Sequence, residues 1–289
     1  SDVIELDFAS LFPSIIATRN ISPETLNCAC CQTTTEFPTT GMFVPLNPDE
    51  AEKAFRERAR GGLFSSKIFP SANASALQVP GLKTHTCART HGFLGRVVAP
   101  IIERRMQLKK QRKRKGDTFD LQQNALKWLL VTCFGYTGYK NARFGRIEAH
   151  EAICAWAREI LLTTISIAED DGWNVLHAIV DCIWIENKNL KTREEKIASA
   201  MQLSQKVTDL IGIPLEFEDI YDFIGFLPSR MHDAGSLTKY WAHGQNGFKL
   251  RGIEARQHST CEWIVAIQKE SLEILKDNLN GESNYDSIT

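Results

Sequence analysis

The stretch Leu6-Asp7-Phe8-Ala9-Ser10-Leu11-Phe12-Pro13-Ser14-Ile15-Ile16 constrains this chain most: a short apolar strand ends on an acid, turns at a proline and re-enters apolar sequence. It places one carboxylate at the end of a buried strand. Such an acid ordinarily caps a helix or bonds nearby turn donors. The other reading, a ligand for a divalent cation, needs a second acid and something anionic to bind. Asp181 supplies the acid. It lies within Asn174 to Glu186, preceded by Val175-Leu176-His177-Ala178-Ile179-Val180 and followed by Cys182-Ile183-Trp184-Ile185. An unpaired carboxylate in so apolar a strand is costly, so Asp181 is expected to have a cation partner or to sit at a hairpin bend.

The anion-binding part is read from the most helical segment. Gly92 to Lys115 carries Val97, Val98, Ile101, Ile102 and Leu108 on its apolar side and a basic run that ends in Arg112 to Lys115. Gly116-Asp117 breaks it, and a second helix runs from about Asp120 to Phe134, so the two should pack as an antiparallel hairpin. The i,i+4 spacing puts Arg105 and Lys109 on one face of the first helix, and Lys127, Val131 and Phe134 share a face of the second. Together they can form a cationic clamp for a polyphosphate. The run near the tip reads equally well as a solvated face.

Elsewhere, Pro13 to Thr25 reads as a turn and short helix, Ile147 to Ala168 and Thr192 to Leu210 as helices, and Ser271 to Asn278 as the end of a last one. Val3 to Phe8, Asn174 to Glu186 and Pro214 to Phe226 read as strands. The fold class is therefore α+β: a mostly antiparallel sheet backed by helices, with Asp7 and Asp181 on neighbouring strands. Residues 33 to 84 carry Pro38, Pro45, Pro48, Pro70 and Pro80 and one charged helical patch, Asp49 to Arg60, and read as an insertion over the core.

A net charge of -1 excludes a general polycation, so any polyanion must meet charge segregated on one face. No apolar run approaches the roughly 20 residues of a membrane span, and no signal segment opens the chain; a soluble, cytoplasmic protein without membrane contact is expected. Strand-like sequence at the very terminus reads as part of something longer. Eight cysteines do not suggest a disulfide framework, since Cys133, Cys154 and Cys182 sit in apolar stretches. Cys28, Cys30 and Cys31, with His85, Cys87 and His91, offer ligands suited to a structural zinc that would pin the two ends of the insertion together. Their C-x-C-C spacing is not the usual C-x2-C, and reduced, unliganded thiols are the other reading.

Two acids on separate strands plus a cationic hairpin are what nucleotidyl transfer asks for, with two Mg2+ ions roughly 3.5–4 Å apart. Here the residues carry a resemblance. Asp7 to Ile16 resembles the first palm motif of family B DNA polymerases, D-F-x-S-L-Y-P-S-I-I. Gln123 to Gly135 resembles their fingers motif K-x3-N-S-x-Y-G, and Ile102 to Lys110 the preceding E-R-x3-K helix. His177 to Cys182 occupies the place of Y-G-D-T-D-S, Lys239-Tyr240 resembles the K-x-Y element, and Arg251 to Arg256 resembles R-G-[IL]-E-x-x-R. Order and spacing hold from residue 1 to about 275, and the pattern is most similar to the divergent second family B paralogue of archaea.

The resemblance implies a right-hand fold: palm at 1–91 with an irregular insertion at 28–88, a two-helix fingers hairpin at 92–138, palm again at 139–232, and a primer-contacting segment with the start of the thumb at 233–289. It implies a template-directed DNA polymerase core acting on primer-template DNA and deoxynucleoside triphosphates. Asp7 and Asp181, with the Phe8 carbonyl, would be the ligands of Mg2+, or of Mn2+ as a substitute. Phe8, Ser10, Leu11, Phe12, Arg105, Lys109, Lys127, Val131 and Phe134 would meet the nucleotide, with Phe12 excluding a 2'-hydroxyl. Gly135, Lys239, Tyr240, Arg251 and Arg256 would meet DNA. A nucleoid location and replication or repair accessory proteins as partners go with that reading. Ile179 stands where the family has an acid, Val131 where it has asparagine, Cys182 for serine, and Phe12 and Phe134 for tyrosines. Weakened activity is therefore expected, and a catalytically impaired paralogue that binds primer-template DNA without chemistry is the alternative.

Overall fold

The computed structural model describes residues 2–31, 77–115, 118–229 and 235–280. In chain order its elements are β1 (Val3–Phe8), α1 (Leu11–Thr18), β2 (Leu77–Gln78), β3 (His85–Thr86), α2 (Phe93–Lys115), α3 (Thr118–Thr137), α4 (Ile147–Asp170), β4 (Asn174–Ile179) and β5 (Cys182–Glu186). Then follow α5 (Arg193–Ile211), β6 (Leu215–Pro228), β7 (Gly235–Gly244), β8 (Gly247–Arg251) and α6 (Glu262–Asn280), with short 3-10 turns at Ala29–Cys31 and Glu254–Arg256.

Strand β1 is central in a six-stranded sheet of order β4-β5-β1-β6-β7-β8, and every pairing in it is antiparallel. Successive side chains alternate across a strand. Ile4, Leu6 and Phe8 therefore enter the main core, where each is fully buried, whereas Val3, Glu5 and Asp7 face the other side. Burying each large apolar side chain contributes about 1.5–3 kcal/mol, and a one-residue slip would drive Asp7 into that core. The apolar row thus fixes which face the acid takes.

Helices α1, α4 and α5 pack on the apolar face. In α4, Ala149, Ala152, Ile153, Trp156 and Ile160 recur at helical spacing and are buried. In α5, Thr192 and Glu195 form a capping box at the start, and Gly212, at φ 78, ends the helix in the left-handed conformation. The opposite face carries a smaller cluster of Val3, Cys182, Trp184, Tyr221, Tyr240 and Ala242. α2 and α3 form the expected hairpin; Val98, Ile102 and Leu108 are buried along α2, and Arg105 shares that buried side.

Several expectations are corrected. Asn174 to Glu186, read as a strand with a hairpin bend at Asp181 as one possibility, is two strands: β4 and β5 meet at that bend, where Val180 adopts φ 56 and Asp181 follows. α1 starts at Leu11, two residues before the expected Pro13, and ends at Thr18, just before Asn20, at φ 52, turns the chain. β7 and β8 were not anticipated, since inward alternation in β7 shows only at Tyr240, Ala242 and Gly244. The patch Asp49 to Arg60 and most of the proposed insertion lie outside the described residues.

A β-branched residue in the left-handed region carries strain of about 1–2 kcal/mol. Val180 is half exposed, so its side chain has little packing to lose. Val180→Asn, whose side chain tolerates that conformation, is expected to raise the unfolding free energy by about 1 kcal/mol in urea denaturation. An unchanged or lower value would show that the bend is unstrained.

Candidate active site

Asp7 stands at the end of β1, in register with Cys182 of β5 on one side and Glu216 of β6 on the other. Asp181 immediately precedes β5, and its carbonyl accepts the Phe8 N–H at 2.8 Å. The hairpin bend and the strand end are thereby locked together by the backbone. Burial pushes the Asp7 carboxyl up to about 7, and the charges of Asp181, Glu218 and Glu5 add to the shift, with Lys249 opposing it. Asp181 is also pushed up by burial, while a backbone hydrogen bond and the charges of Lys127, Arg251 and Lys249 pull it back.

Glu5, two residues upstream on the same face, has the opposite environment. Both of its oxygens lie 2.5 Å from Lys249 Nζ, and the Tyr221 hydroxyl donates to it at 3.0 Å. Lys249 in turn lies over the Trp184 ring, 5.3 Å from its centroid. Glu5 is closed by its own cation. Among the described residues no such ion pair closes Asp7. Two part-buried carboxylates, near enough that the charge of Asp181 raises Asp7, are hard oxygen donors of the kind Mg2+ takes while keeping water or phosphate oxygens as its other ligands. The donor set therefore fits a divalent cation.

The helical hairpin brings cations to this point from both arms. Buried Arg105 donates from Nη1 to Ser10 Oγ at 2.6 Å. Burial lowers its affinity for the proton, and the carboxylates of Glu216 and Asp7 offset this only in part. Its Nε is buried with no partner among the described residues. Lys109, one turn on, is paired with Glu216 at 2.6 Å. Lys127 of α3 is exposed, and its charge reaches Asp181. Phe8 and Leu11 are buried in the core, so their side chains face away from the site.

Phe12 and Phe134 stack with centroids 4.3 Å apart and planes 12° apart, and Phe134 stacks in turn on His150 at 4.6 Å. This stack joins α1, α3 and α4. Val131 and Gly135 are exposed on α3. Lys239, Arg251 and Arg256 are exposed as well, but Tyr240 is only 4% exposed and sits in the aromatic cluster beneath the acids. Its hydroxyl pairs with Arg251, and burial pushes the phenol up to about 12. The ring thus props Arg251 and packs inward. Gly252 turns this segment at φ 63, where a Cβ would meet the Thr238 carbonyl oxygen at 2.2 Å.

Sequence reasoning missed Glu5, Glu216, Glu218 and Lys249. The acids had a signal: Glu5 shares the face of Asp7 by the strand period, and Glu216 and Glu218 alternate with Leu215 and Phe217 in β6. Of the sulfur and imidazole group, Cys28, Cys30, Cys31 and Cys87 come together, with their sulfurs all within 4.8 Å of one another. His85 Nε2 lies beside them, 3.7 Å from Cys28 Sγ. His91 stands apart at the foot of α2, because Cys87 turns inward while the chain runs on to the helix.

Comparison with known proteins agrees with this geometry. The family model described as DNA polymerase family B matches residues 1–288. DNA polymerase 2 of Saccharolobus solfataricus is 29% identical over 252 residues, covering 87% of this chain and 30% of that protein. A DNA polymerase of Archaeoglobus fulgidus is 26% identical over 283 residues, covering 96% of this chain and 29% of that protein. The chain thus spans less than a third of the length of these relatives. The solved family B DNA polymerase of Pyrobaculum calidifontis superposes with a TM-score of 0.57 at 19% identity, over 99% of this chain and 34% of that one. The α+β architecture is that of the right-hand polymerases, with an antiparallel palm sheet backed by helices and a helical fingers hairpin. The chain belongs to DNA polymerase family B.

Proposed function

We propose that this chain is the polymerising core of a template-directed DNA polymerase, adding deoxynucleotides to a primer 3' end; the observation that carries the reading is the joining of Asp7 and Asp181 at the β1–β5 junction. In this reading residues 1–91 and 139–232 form the palm, 92–138 the fingers, and 233–289 the primer-contacting segment and the start of the thumb.

Asp7, Asp181 and the Phe8 carbonyl would hold Mg2+, or Mn2+ in its place, and such ions supply activation of the attacking hydroxyl and neutralisation of the leaving pyrophosphate. Arg105, Lys109 and Lys127 bind and orient the triphosphate. Arg105 is held by Ser10 before any ligand arrives, so it loses little freedom on binding. Lys109 exchanges its Glu216 partner for phosphate. Phe12, backed by Phe134, presents a flat wall to the sugar, and a 2'-hydroxyl would collide with it. Lys239, Arg251 and Arg256 hold duplex backbone through sequence-independent, salt-sensitive contacts. Ile179 packs against the aromatic cluster where the family pattern has an acid, so the β4–β5 hairpin contributes Asp181 alone. That loss supports a weakened rate. Work on primer-template DNA would place the protein at the cytoplasmic nucleoid beside replication or repair proteins.

Primer extension by the 289-residue chain with Mg2+ or Mn2+ tests this directly. Asp181→Ala should reduce incorporation by on the order of 10³-fold or more, as expected when a transition-state ligand is lost. Equal extension by wild type and variant would remove Asp181 from the chemistry, and duplex binding with no incorporation by either would favour the accessory-subunit reading. In the same assay Phe12→Ala should raise ribonucleotide over deoxyribonucleotide incorporation by on the order of 10-fold or more. An unchanged ratio would place the sugar elsewhere.

A further inference from the structure

The four-cysteine group stands well away in function from the acids, and the polymerase reading leaves it unused. All eight cysteines lie among the described residues, and these four are the ones that converge. Cys30 Sγ is 3.8 Å from Cys31 Sγ and 3.5 Å from Cys87 Sγ, and Cys31 Sγ is 3.8 Å from Cys87 Sγ. A disulfide requires sulfurs about 2.05 Å apart. A tetrahedron of thiolates at Zn–S of about 2.3 Å has edges of about 3.8 Å, so the observed spacing is that of a shared ion and not of a bond.

The surrounding backbone is built for this arrangement. The 3-10 turn Ala29–Cys31 folds Cys30 and Cys31 back towards Cys28, and Cys31 N–H donates to the Cys28 carbonyl at 3.3 Å. On the other segment, the N–H groups of Arg89 and Thr90 both point at Cys87 Sγ, at 3.4 and 3.2 Å. Two donors aimed at one sulfur favour its thiolate, the form that binds metal. The two segments are joined by reciprocal backbone bonds: Cys87 N–H to the Thr25 carbonyl at 2.8 Å and Asn27 N–H to the His85 carbonyl at 2.9 Å. His85 lies beside Cys28, in contact with its sulfur and its carbonyl, as an outer partner of the group.

We propose that Cys28, Cys30, Cys31 and Cys87 bind a single structural zinc ion in tetrahedral thiolate coordination. Sulfur-only ligation selects a soft or borderline metal and leaves no open position for catalysis. The ion closes a 56-residue excursion between Cys31 and Cys87. Cross-linking chain segments that far apart restricts the unfolded state most. It also anchors the foot of α2: Asn20 donates to the carbonyls of Cys87 and Thr90 and accepts from Gly92 N–H, immediately before the helix that carries Arg105 and Lys109. The zinc would hold the clamp-bearing helix to the end of the segment that carries Asp7. This inference does not depend on the polymerase reading.

The test is metal content of the full chain, expressed with zinc and iron both supplied and purified without chelator. One zinc per chain is expected by plasma mass spectrometry. Replacement by Co2+ should give the thiolate-to-cobalt charge-transfer band and the intense visible envelope of tetrahedral sulfur coordination. Cys87→Ser should lose the metal and lower the melting temperature by roughly 5 °C or more, whereas Cys154→Ser, in α4, should keep both. Whether or not Cys87→Ser folds, titrating wild type with a mercurial while a dye reads released zinc gives an independent result: one zinc freed as four thiols react. Absence of stoichiometric metal, one iron in place of zinc, or a Cys30–Cys87 disulfide under non-reducing conditions would overturn the assignment.

Discussion

The structure turns on two part-buried carboxylates, Asp7 and Asp181, that no ion pair among the described residues closes. Asp7 and Asp181 lie where β1, β5 and the Val180 bend meet, and each is pushed towards its neutral form by its surroundings. The contrast with Glu5 is instructive. Glu5 shares the strand and the face, is more deeply buried, and is closed by Lys249 and Tyr221. Buried charges in folded proteins are ordinarily paired in this way. A neighbouring pair left open is the exception, and a divalent cation is what would close it.

The scaffold holds that unfavourable arrangement by strong interactions on the other face. Ile4, Leu6 and Phe8 cannot move without exposing the helix-backed core, so Asp7 is held in place by its neighbours in sequence. Asp181 is held by a bend that puts a β-branched residue in a left-handed conformation, the kind of local cost that folded proteins keep where geometry matters. The helical hairpin is tied to the same centre through Arg105 to Ser10, Lys109 to Glu216, and the stack of Phe12, Phe134 and His150. These contacts couple the position of the clamp to the position of the acids. In the proposed mechanism, nucleotide binding replaces one of them, the Lys109 pair.

What the sequence made legible followed local periodicity and the cost of isolated acids. Both acids stood out because apolar strands surround them, and the hairpin stood out because its apolar positions recur every three or four residues. The closure of Glu5 was not legible, since Lys249 lies 244 residues away and no local pattern announces it. A bend at Asp181 was one of the two readings its sequence left open, but the left-handed Val180 was not legible because valine favours extended strands, and β7 was hidden because its alternation is masked by polar positions. Tyr240 was identified by motif alone, yet its ring is buried and its hydroxyl pairs with Arg251. The sulfur group was half legible: the residue types pointed to zinc, but only the fold separates the converging cysteines from His91.

The most direct test of the central claim is the effect of Mg2+ on thermal stability as a function of pH. Asp7 holds its proton more tightly in the folded chain, at about 7, than at its ordinary value of 3.8. In chelated protein its ionisation therefore removes stability progressively between those values, and the loss persists above pH 7. Mg2+ that binds the ionised pair offsets this loss, so it should raise the melting temperature strongly at pH 8 and little at pH 5. In Asp7→Asn the chelated protein should be more stable than wild type at pH 8, and the Mg2+ effect should vanish. A Mg2+ shift that is the same at both pH values, or the same in wild type and Asp7→Asn, would contradict the account.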